Sequence, residues 1–438
     1  MRKWLALVLL TTLLLLAGCG SKPAAEPAAK APETPKAPEP VTLRVVFSGT
    51  SEPEKAWSVK VKEQIEKKYQ HIKIEYMYIP WGDLEKKLTI MIQANDYPDI
   101  IQTQELANLI AMKAMEPLDS YLTKADSPTK KDHFIQGALE YSAYDGKTYA
   151  LPLAAIGYGL MVNEELLSKA GLKPEDLKTW DDVLKAAPLL TKGETYAMGY
   201  ASGAPRFSWR DPAMHAWSNG LFTPADVDDA HKKAYLEVLT HYNNMRPYMP
   251  PAVTAWTYPD MSKAFANGQI AMMPFGSYFT ANVYGFNPDI IAKTKVIPIP
   301  KGPSAQKQAV WAANVGFGML AGGKNKDAAW LVLQELVSKD AVGAFAASTN
   351  MPSRMDVTTD AVAKDAQAIY PKAADAHAKL ITSFVPMLQE YGKTQPRIVG
   401  QAEMEVAFQS HMVQMLQGKL TPEQAYENIR RDISQLKK

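Results

Sequence analysis

An α/β fold is the fold class that the sequence predicts, and the order of segments after residue 40 is the main reason. Residues 41–47 and 72–78 alternate apolar with polar side chains, as strands with one buried face do. Apolar side chains recur every four positions over residues 57–69, which is typical of an amphipathic helix. A short helix follows at residues 84–92, and an apolar strand follows at 98–101. The order strand, helix, strand, helix, strand predicts a parallel sheet with right-handed connections.

The length of the chain predicts two domains. The sequence has 438 residues, and its first 40 are set apart by their composition. The remaining ~400 residues are more than one hydrophobic core usually covers.

The first residues are predicted to be a secretory leader. Arg2 and Lys3 precede an apolar run over residues 4–17, which is shorter than the ~20 residues that span a bilayer. The run ends in Leu-Ala-Gly-Cys at residues 16–19, which resembles the lipobox of bacterial lipoprotein precursors. The resemblance implies cleavage after residue 18 and lipidation of Cys19. Cys19 is the only cysteine, so the sequence offers no disulfide, thiolate metal site or catalytic thiol.

Residues 19–40 are predicted to be a tether behind the lipidated cysteine. Six prolines alternate there with Ala, Lys and Glu, a composition that cannot bury a core. A Pro-rich stretch extends by ~3.1 Å per residue, which gives a reach of about 60 Å. We therefore expect the body to be anchored at the extracytoplasmic face of a cell membrane.

The charge balance gives no reason to expect a nucleic-acid partner. The chain has 48 Lys and Arg residues, two of them in the leader, so the rest equal the 46 Asp and Glu residues. A balanced chain also gives no electrostatic argument for binding an anionic membrane surface.

Motifs of catalysis, cofactors and metals are missing from the sequence, and none of these functions is expected. The His-Glu-x-x-His, Gly-x-Ser-x-Gly and phosphate-loop patterns do not occur, and the seven histidines are scattered. Residues 316–321 weakly match a dinucleotide fingerprint. However, these residues form an expected strand, and a turn at 322–325 follows before the next helix, whereas a cofactor loop needs its glycines after the strand.

A secreted carbohydrate-active enzyme is the rival class. Adjacent carboxylates occur at residues 181–182 and 228–229, and glycoside hydrolysis needs two carboxyl groups facing each other across a bond. Adjacent carboxylates on a helix more often lie on its solvent-exposed face. Sequence alone does not show whether two carboxyl groups face each other across a substrate bond.

Aromatic residues point to a sugar ligand. Seven of them are expected in or near loops with Gly, Pro, Ser or Asp neighbours: Trp81, Trp209, Trp217, Trp256, Tyr258, Tyr278 and Trp311. A sugar's C–H face stacks on a ring, and each stack contributes about 1 kcal/mol. Any one of these rings could instead pack at the surface of a lobe without contacting a ligand. Trp180 and Trp330 are expected on helices, in the core.

The order of several short stretches resembles family 1 of the bacterial extracellular solute-binding proteins, which includes maltodextrin-binding and other sugar-binding proteins. Each stretch is weak alone, but together they cover residues 41–438. The stretches are residues 146–152, 161–167 with 170–172, 179–184, 264–272, 298–303 and 421–425.

The resemblance implies a two-lobed periplasmic-binding-protein-like fold of type II. Each lobe is then a mostly parallel sheet flanked by helices, and the ligand cleft lies between the lobes. Two strands, Leu151 to Leu160 and Ala312 to Leu320, are expected to cross between them. The expected first lobe is 41–153 plus 312–350, and the expected second lobe is 154–311 plus 351–438.

The resemblance and the aromatic pattern together give a set of candidate ligand-binding residues. Ser48 and Thr50 match the family's first ligand-contacting loop, Gln102 and Gln104 match the next one, and Tyr278 matches a stacking aromatic. The full set is Ser48, Thr50, Trp81, Gln102, Gln104, Arg206, Trp209, Trp256, Tyr278, Trp311, Asn314 and Arg397.

Two departures from the family pattern bear on the ligand. Thr50 stands where an acidic residue is usual and Arg206 where an aromatic one is usual, which argues against maltodextrin. Arg206 and Arg210 leave an acidic sugar or a phosphorylated polyol open, since guanidinium groups match carboxylate and phosphate bidentately. Both could instead be ordinary ion-pair partners.

The function predicted from these features is solute capture for an ABC importer. The expected protein is a monomeric lipoprotein that closes on a small solute, most simply a mono- or oligosaccharide, and hands it to the permease subunits. The alternatives are a solute sensor for a membrane kinase and, less favoured, the secreted enzyme.

Overall fold

A computed structural model of the chain describes residues 39–436 except 105, 125, 126 and 397. From Pro40 onward the chain forms one compact unit. The predicted leader, Cys19 and nearly all of the predicted tether lie outside the described residues.

The first five elements form the predicted βαβαβ arrangement. They are β1 (Val41–Phe47), α1 (Glu52–Lys68), β2 (Ile72–Tyr78), α2 (Leu84–Gln93) and β3 (Ile100–Thr103). Strand β1 lies between β2 and β3 and runs parallel to both. Trp57, Val61 and Ile65 of the predicted apolar stripe are buried on α1, together with the polar Ser58.

Small elements then lead to the first long strand. They are α3 (Ala107–Ala111), α4 (Asp119–Leu122), a 3₁₀ turn (Lys131–His133), α5 (Gln136–Tyr141), β4 (Ala143–Tyr144), β5 (Lys147–Thr148) and β6 (Leu151–Asn163).

The middle of the chain alternates helices with strands. The longer elements are α6 (Glu164–Lys169), α7 (Trp180–Leu190), β7 (Tyr196–Met198), α8 (Pro205–Trp217), α9 (Lys232–Met245), α10 (Tyr258–Ala266), β8 (Ile270–Gly276), α11 (Phe279–Val283), β9 (Thr294–Ile297) and β10 (Val310–Met319). Short 3₁₀ turns are Pro174–Asp176, Arg246–Tyr248, Pro251–Thr254 and Pro288–Lys293.

The last part of the chain is mainly helical. Its elements are α12 (Lys326–Leu336), α13 (Lys339–Ser348), β11 (Met351–Pro352), α14 (Thr359–Ile369), α15 (Ala374–Tyr391), β12 (Gly392–Thr394), α16 (Gln401–Leu416) and α17 (Pro422–Leu436).

Strand β6 passes from one sheet into another. Its residues 151–157 pair with β10, which pairs antiparallel with β3 and so belongs to the first sheet. Its residues 158–163 pair with β8 and β9 of the second sheet. The second sheet is mixed, because β6 runs antiparallel to β8 and β9 while β7 and β8 are parallel. Both expected crossing segments are thus continuous strands, whereas the lobe boundaries drawn from the sequence remain a prediction.

Two glycines let other elements pack closely on β6. A Cβ atom at Gly157 would lie 2.7 Å from the Phe384 ring, and one at Gly159 would lie 2.6 Å from Val296 Cγ2. The strand therefore has room for α15 and β9 only because these positions lack side chains.

The apolar core continues along the crossing strands into both sheets, and a smaller apolar cluster covers the other face of the first sheet. Trp180 and Trp330 are both buried, as predicted. Residues 316–319 lie within β10, and α12 begins only at Lys326, so the weak dinucleotide match is a strand, as expected.

In the described part of the chain, no helix is both long enough and apolar enough to cross a bilayer. Within the same residues, no group of three or more His, Cys, Asp or Glu side chains is placed to hold a metal ion.

Candidate functional site

A cavity of about 350 Å³ lies where the two sheets meet. Ile156 of β6 and Val315 of β10 contribute from the crossing strands. One wall follows the first sheet, and the opposite wall comes from α8, α10 and residues 278–282, which follow β8. Residues lining the cavity include Thr50, Glu54, Trp81, Asp83, Gln102, Gln104, Phe207, Arg210, Tyr258, Tyr278, Asn282, Phe345 and Asn350.

Gln102 is held rigidly in the first wall. Its amide oxygen accepts hydrogen bonds from the backbone N–H groups of Ser48 at 2.8 Å and Gly49 at 3.2 Å. The approach requires a glycine at 49, because a Cβ atom there would lie 2.7 Å from the Phe47 ring. The amide nitrogen of Gln102 has no hydrogen-bond partner among the described residues. The wall thus presents an oriented N–H donor next to the cavity.

Gln104 joins the two walls. Its side-chain oxygen accepts a hydrogen bond from Arg206 at 2.7 Å and another from Arg210 at 3.2 Å, and both arginines lie on α8. The Arg206 guanidinium also lies 5.6 Å from the centre of the Trp81 ring, across the cleft. Hydrogen bonds with a charged donor are stronger than neutral ones, so these contacts favour the closed arrangement of the walls.

The aromatic rings of Phe207, Tyr258 and Tyr278 form the opposite wall, and the buried ring of Phe275 packs behind them. The ring centres of Phe207 and Tyr258 are 4.3 Å apart, those of Tyr258 and Phe275 are 4.9 Å apart, and those of Phe275 and Tyr278 are 5.0 Å apart. Arg210 lies beside this group, with its guanidinium 5.5 Å from the Phe207 ring centre. The wall therefore offers ring surface with one cation at its edge.

Two carboxyl groups near the cavity are electrostatically unusual. Burial raises the pKa of Asp211 to about 7, although the N–H of Ala201, the hydroxyl of Tyr258 and the charge of Arg210 each act to lower it. Burial also raises the pKa of Glu54, against hydrogen bonds from Ser51. Both carboxyl groups are thus easier to protonate than exposed ones.

The structure brings six of the sequence-predicted residues together. Thr50, Trp81, Gln102, Gln104 and Tyr278 line the cavity. Arg206 lines a small adjoining cavity together with Trp81 and Gln104.

Two further predicted residues are not part of the cavity wall. Ser48 is fully buried and holds Gln102 through its backbone N–H. Trp256 accepts a hydrogen bond from the N–H of Gly203 through its carbonyl, next to the wall residue Tyr258. The predicted site residue Arg397 lies outside the described residues.

The structure places Trp209, Trp311 and Asn314 in packing rather than on the cavity wall. Trp209 is buried against Phe408 of α16, with ring centres 5.0 Å apart. Trp311 stacks between Tyr158 and Trp217, at 4.6 and 5.3 Å.

Asn314 donates hydrogen bonds to the Ala138 carbonyl and, at 2.9 Å, to the Ser142 hydroxyl. Its amide group therefore ties β10 to α5.

Of the tryptophans expected in or near loops, Trp209 lies inside a helix, whereas Trp217 and Trp311 lie at the ends of their elements, next to loops. Residues 205–217 form α8, and Trp311 lies in β10. On α8, the cleft side is formed by Arg206, Phe207 and Arg210, which are close in angle on a helix, and Trp209 falls outside this group.

Sequence reasoning missed several residues of the cavity wall. Glu54 was hidden in the pattern Ser51-x-x-Glu54, which caps α1 and equally signals an ordinary helix start. Asn282 and Asn350 had no signal in the sequence. Phe207 would have been found from the helix spacing, had α8 been recognised, and Arg210 was named only as a possible partner of an anionic ligand.

Comparison with known proteins identifies the family. A family model of the bacterial extracellular solute-binding protein matches residues 48–343. A protein of Brucella abortus (strain 2308), named only as a binding protein, is 29% identical over 288 residues, which are 64% of this chain and 68% of that one. The melibiose/raffinose/stachyose-binding protein MelE of Bacillus subtilis is 25% identical over 328 residues, 68% of each chain.

A solved structure supports the fold. Maltose-bound MalE3 of T. maritima matches with a TM-score of 0.74 at 20% identity, over 90% of this chain and 99% of that one. The predicted two-lobed α/β fold is thereby confirmed. The chain is a solute-binding protein of the ABC-transporter type and not an enzyme, and it belongs to the bacterial extracellular solute-binding protein family.

Proposed function

We propose that the protein captures a neutral sugar, a mono- or oligosaccharide, in the cavity between its two sheets and delivers it to the permease of an ABC importer. The observation that carries the proposal is the composition of the two walls. Aromatic rings on one side face fixed amide groups on the other, around a cavity whose volume of about 350 Å³ is within the ~300–1,000 Å³ of small-molecule sites.

This composition matches the surface of a sugar. Burying ~50 Å² of ring and C–H surface contributes about 1 kcal/mol per stack, and Trp81 and Tyr278 are the rings placed to do so. The hydroxyl groups need polar partners of fixed position, which Gln102 and Asn350 supply. The names of MelE and of maltose-bound MalE3 support a sugar as the ligand class.

A neutral sugar is favoured over an anionic one. Arg206 and Arg210 both donate to Gln104 and lie against aromatic rings. Asp83 lines the same cavity, and its carboxylate would repel an anion.

A thermal-shift screen tests the ligand class. The probes are maltose, melibiose, raffinose and arabinotriose, with galacturonate and glucose 6-phosphate as anionic counterparts. A sugar at 100 times its dissociation constant stabilises the folded state by ~2.7 kcal/mol, which a shift in Tm reveals. Stabilisation by an anion but by no neutral sugar would contradict the proposal.

Trp81→Ala locates the binding site. Loss of one stacking ring and of the Arg206 contact predicts an affinity about tenfold lower for the stabilising sugar, measured by calorimetry. Phe286→Ala is the matched control, because Phe286 is an exposed aromatic outside the cavity wall. Equal affinities of the two variants would show that the sugar binds elsewhere.

We also propose that Cys19 carries the lipid that holds the protein at the extracytoplasmic face of the cell membrane. The Leu-Ala-Gly-Cys motif after an apolar run supports this. Stable anchoring needs two or more acyl chains, so Cys19→Ala should move the protein from the membrane fraction to the soluble fraction and abolish labelling by radioactive palmitate. A variant that stays labelled and membrane-bound would exclude this anchor.

A further inference from the structure

A chain of three hydrogen-bonding groups leads from the core of the second sheet's helices to the cavity. Asp211 of α8 is fully buried, and its Oδ2 accepts the N–H of Ala201 at 3.0 Å. Its Oδ1 accepts the hydroxyl of Tyr258 at 3.1 Å. The Tyr258 oxygen in turn accepts the hydroxyl of Tyr278 at 3.2 Å, and both tyrosines line the cavity.

The direction of this chain follows from counting protons. An ionised carboxylate only accepts hydrogen bonds, and a tyrosine hydroxyl has a single proton to donate. Tyr258 directs its proton to Asp211, so its oxygen is an acceptor for Tyr278. Tyr278 then directs its own proton to Tyr258, and only acceptor capacity remains on the Tyr278 oxygen.

We propose that Asp211 is a positioning residue that fixes this direction, so that the Tyr278 oxygen accepts a hydrogen bond from a hydroxyl group of the bound sugar. The inference rests on the proposed function and deepens it, since it states which kind of ligand group Tyr278 recognises. A ligand that places an ether oxygen, a fluorine atom, or an oxygen of a carboxylate or phosphate group there would bring two acceptors together. Such a ligand would be rejected.

Several ionisable groups face Asp211 from the elements packed around it, and Asp211 is the one whose pKa lies near 7. The neighbours are Arg210, His215, Tyr200, Tyr242, Tyr258 and Tyr278. Burial lowers the pKa of His215 to about 4 and raises the pKa values of the four tyrosines above their usual range. Above pH ~7 the carboxylate form of Asp211 therefore sets the direction of the chain.

The Asp211→Asn variant is expected to reverse the chain. The N–H of Ala201 needs an acceptor, so the amide oxygen of the new side chain turns to it and the NH₂ group turns to Tyr258. Tyr258 then donates to Tyr278, and Tyr278 donates into the cavity. Tyr258→Phe is a second variant, which keeps the ring and removes the acceptor for Tyr278.

Neutron diffraction on crystals of the deuterated protein at about pH 8.5 tests the direction without any ligand. In the wild-type protein the deuteron of Tyr258 should point to Asp211 and that of Tyr278 to Tyr258. In Asp211→Asn both should point the other way, and in Tyr258→Phe the Tyr278 deuteron should leave its former direction. A wild-type Tyr278 deuteron that points into the cavity would overturn the proposal.

Calorimetry with singly deoxyfluorinated melibioses tests the consequence for recognition. Fluorine in place of the hydroxyl at Tyr278 should cost the wild-type protein about tenfold in affinity, and Asp211→Asn less than about threefold. The exposed Asp365→Asn serves as the matched control and should behave as wild type. Equal losses in wild type and Asp211→Asn would count against the proposal.

The two arms separate the two proposals. If neither melibiose nor its fluorinated forms bind but the deuterons point as expected, the proposed direction of the hydrogen bonds is supported and the proposed sugar is wrong. If melibiose binds and the Tyr278 deuteron points into the cavity, the sugar assignment is supported, but Asp211 does not fix the direction of the hydrogen bonds.

Discussion

At the scale of single residues, the buried carboxyl of Asp211 couples pH to folding. Its pKa is about 7 in the folded protein and near ~3.9 in an unfolded chain. Between these values the folded state holds a proton that the unfolded state has released. Asp211 therefore makes the folded state progressively less stable as pH rises from about 4 to about 7, with no further change above that range.

The Asp211→Asn variant should lack this component. The free energy of unfolding of the variant minus that of wild type should rise with pH over this range, by on the order of 4 kcal/mol in total. The comparison of the two proteins is needed because His215, with a pKa lowered to about 4, changes stability with pH in the opposite sense. Its contribution is the same in both proteins and cancels in the difference between their free energies of unfolding. Urea unfolding at several pH values measures it, and a difference that does not vary with pH would contradict the assignment.

At the same scale, the sequence could predict cavity residues where they lie at the end of a recognised strand or are aromatic residues near loops. Gln102 lies in the apolar strand β3, Gln104 follows its end, and Thr50 comes after β1, so their position at the sheet edge was predictable. Glu54, Asn282 and Asn350 were not, because their roles depend on contacts between segments far apart in the chain.

At the scale of elements, strands and amphipathic helices were predictable and the buried helix was not. The helices expected over residues 57–69 and 84–92 are both present, as α1 and α2. Helix α8 was missed because residues 208–217 are all buried. A helix without a polar face shows no 3.6-residue periodicity, and its prolines, Pro205 and Pro212, suggested a loop.

The crossing strand β6 gives a prediction at this scale. Gly159→Ala places a Cβ atom 2.6 Å from Val296 Cγ2 and 2.8 Å from the Ile297 carbonyl oxygen. Overpacking of this kind should lower the free energy of unfolding by about 1–3 kcal/mol, as measured in urea.

Gly137→Ala is the matched control for that variant. It lies in α5 with open space around its Cβ position, and it should raise stability by roughly 0.5–1 kcal/mol through helix propensity. A Gly159→Ala protein as stable as this control would show that β6 is not closely packed.

At the scale of the whole molecule, Gln104 connects the two walls of the cleft. Its oxygen holds Arg206 and Arg210 of α8 beside the end of β3. Gln104→Ala should therefore shift the population towards a more open form. The radius of gyration of the ligand-free protein from small-angle scattering should increase, and the affinity for the stabilising sugar should fall by about two- to tenfold.

The exposed Gln306 supplies the control for this experiment. Gln306→Ala should leave both the scattering curve and the affinity at their wild-type values. If Gln104→Ala matches it in both respects, the contacts across the cleft do not hold the walls together.

We expect a sugar to lie between the aromatic wall and the amide wall of one cavity. A crystal structure of the protein grown with raffinose, melibiose, maltose or arabinotriose, whichever raises Tm furthest, tests it most directly. A pyranose or furanose ring should lie against Trp81 or Tyr278, with a hydroxyl group at the amide nitrogen of Gln102. Sugar density in another groove, with this cavity filled only by water, would contradict it.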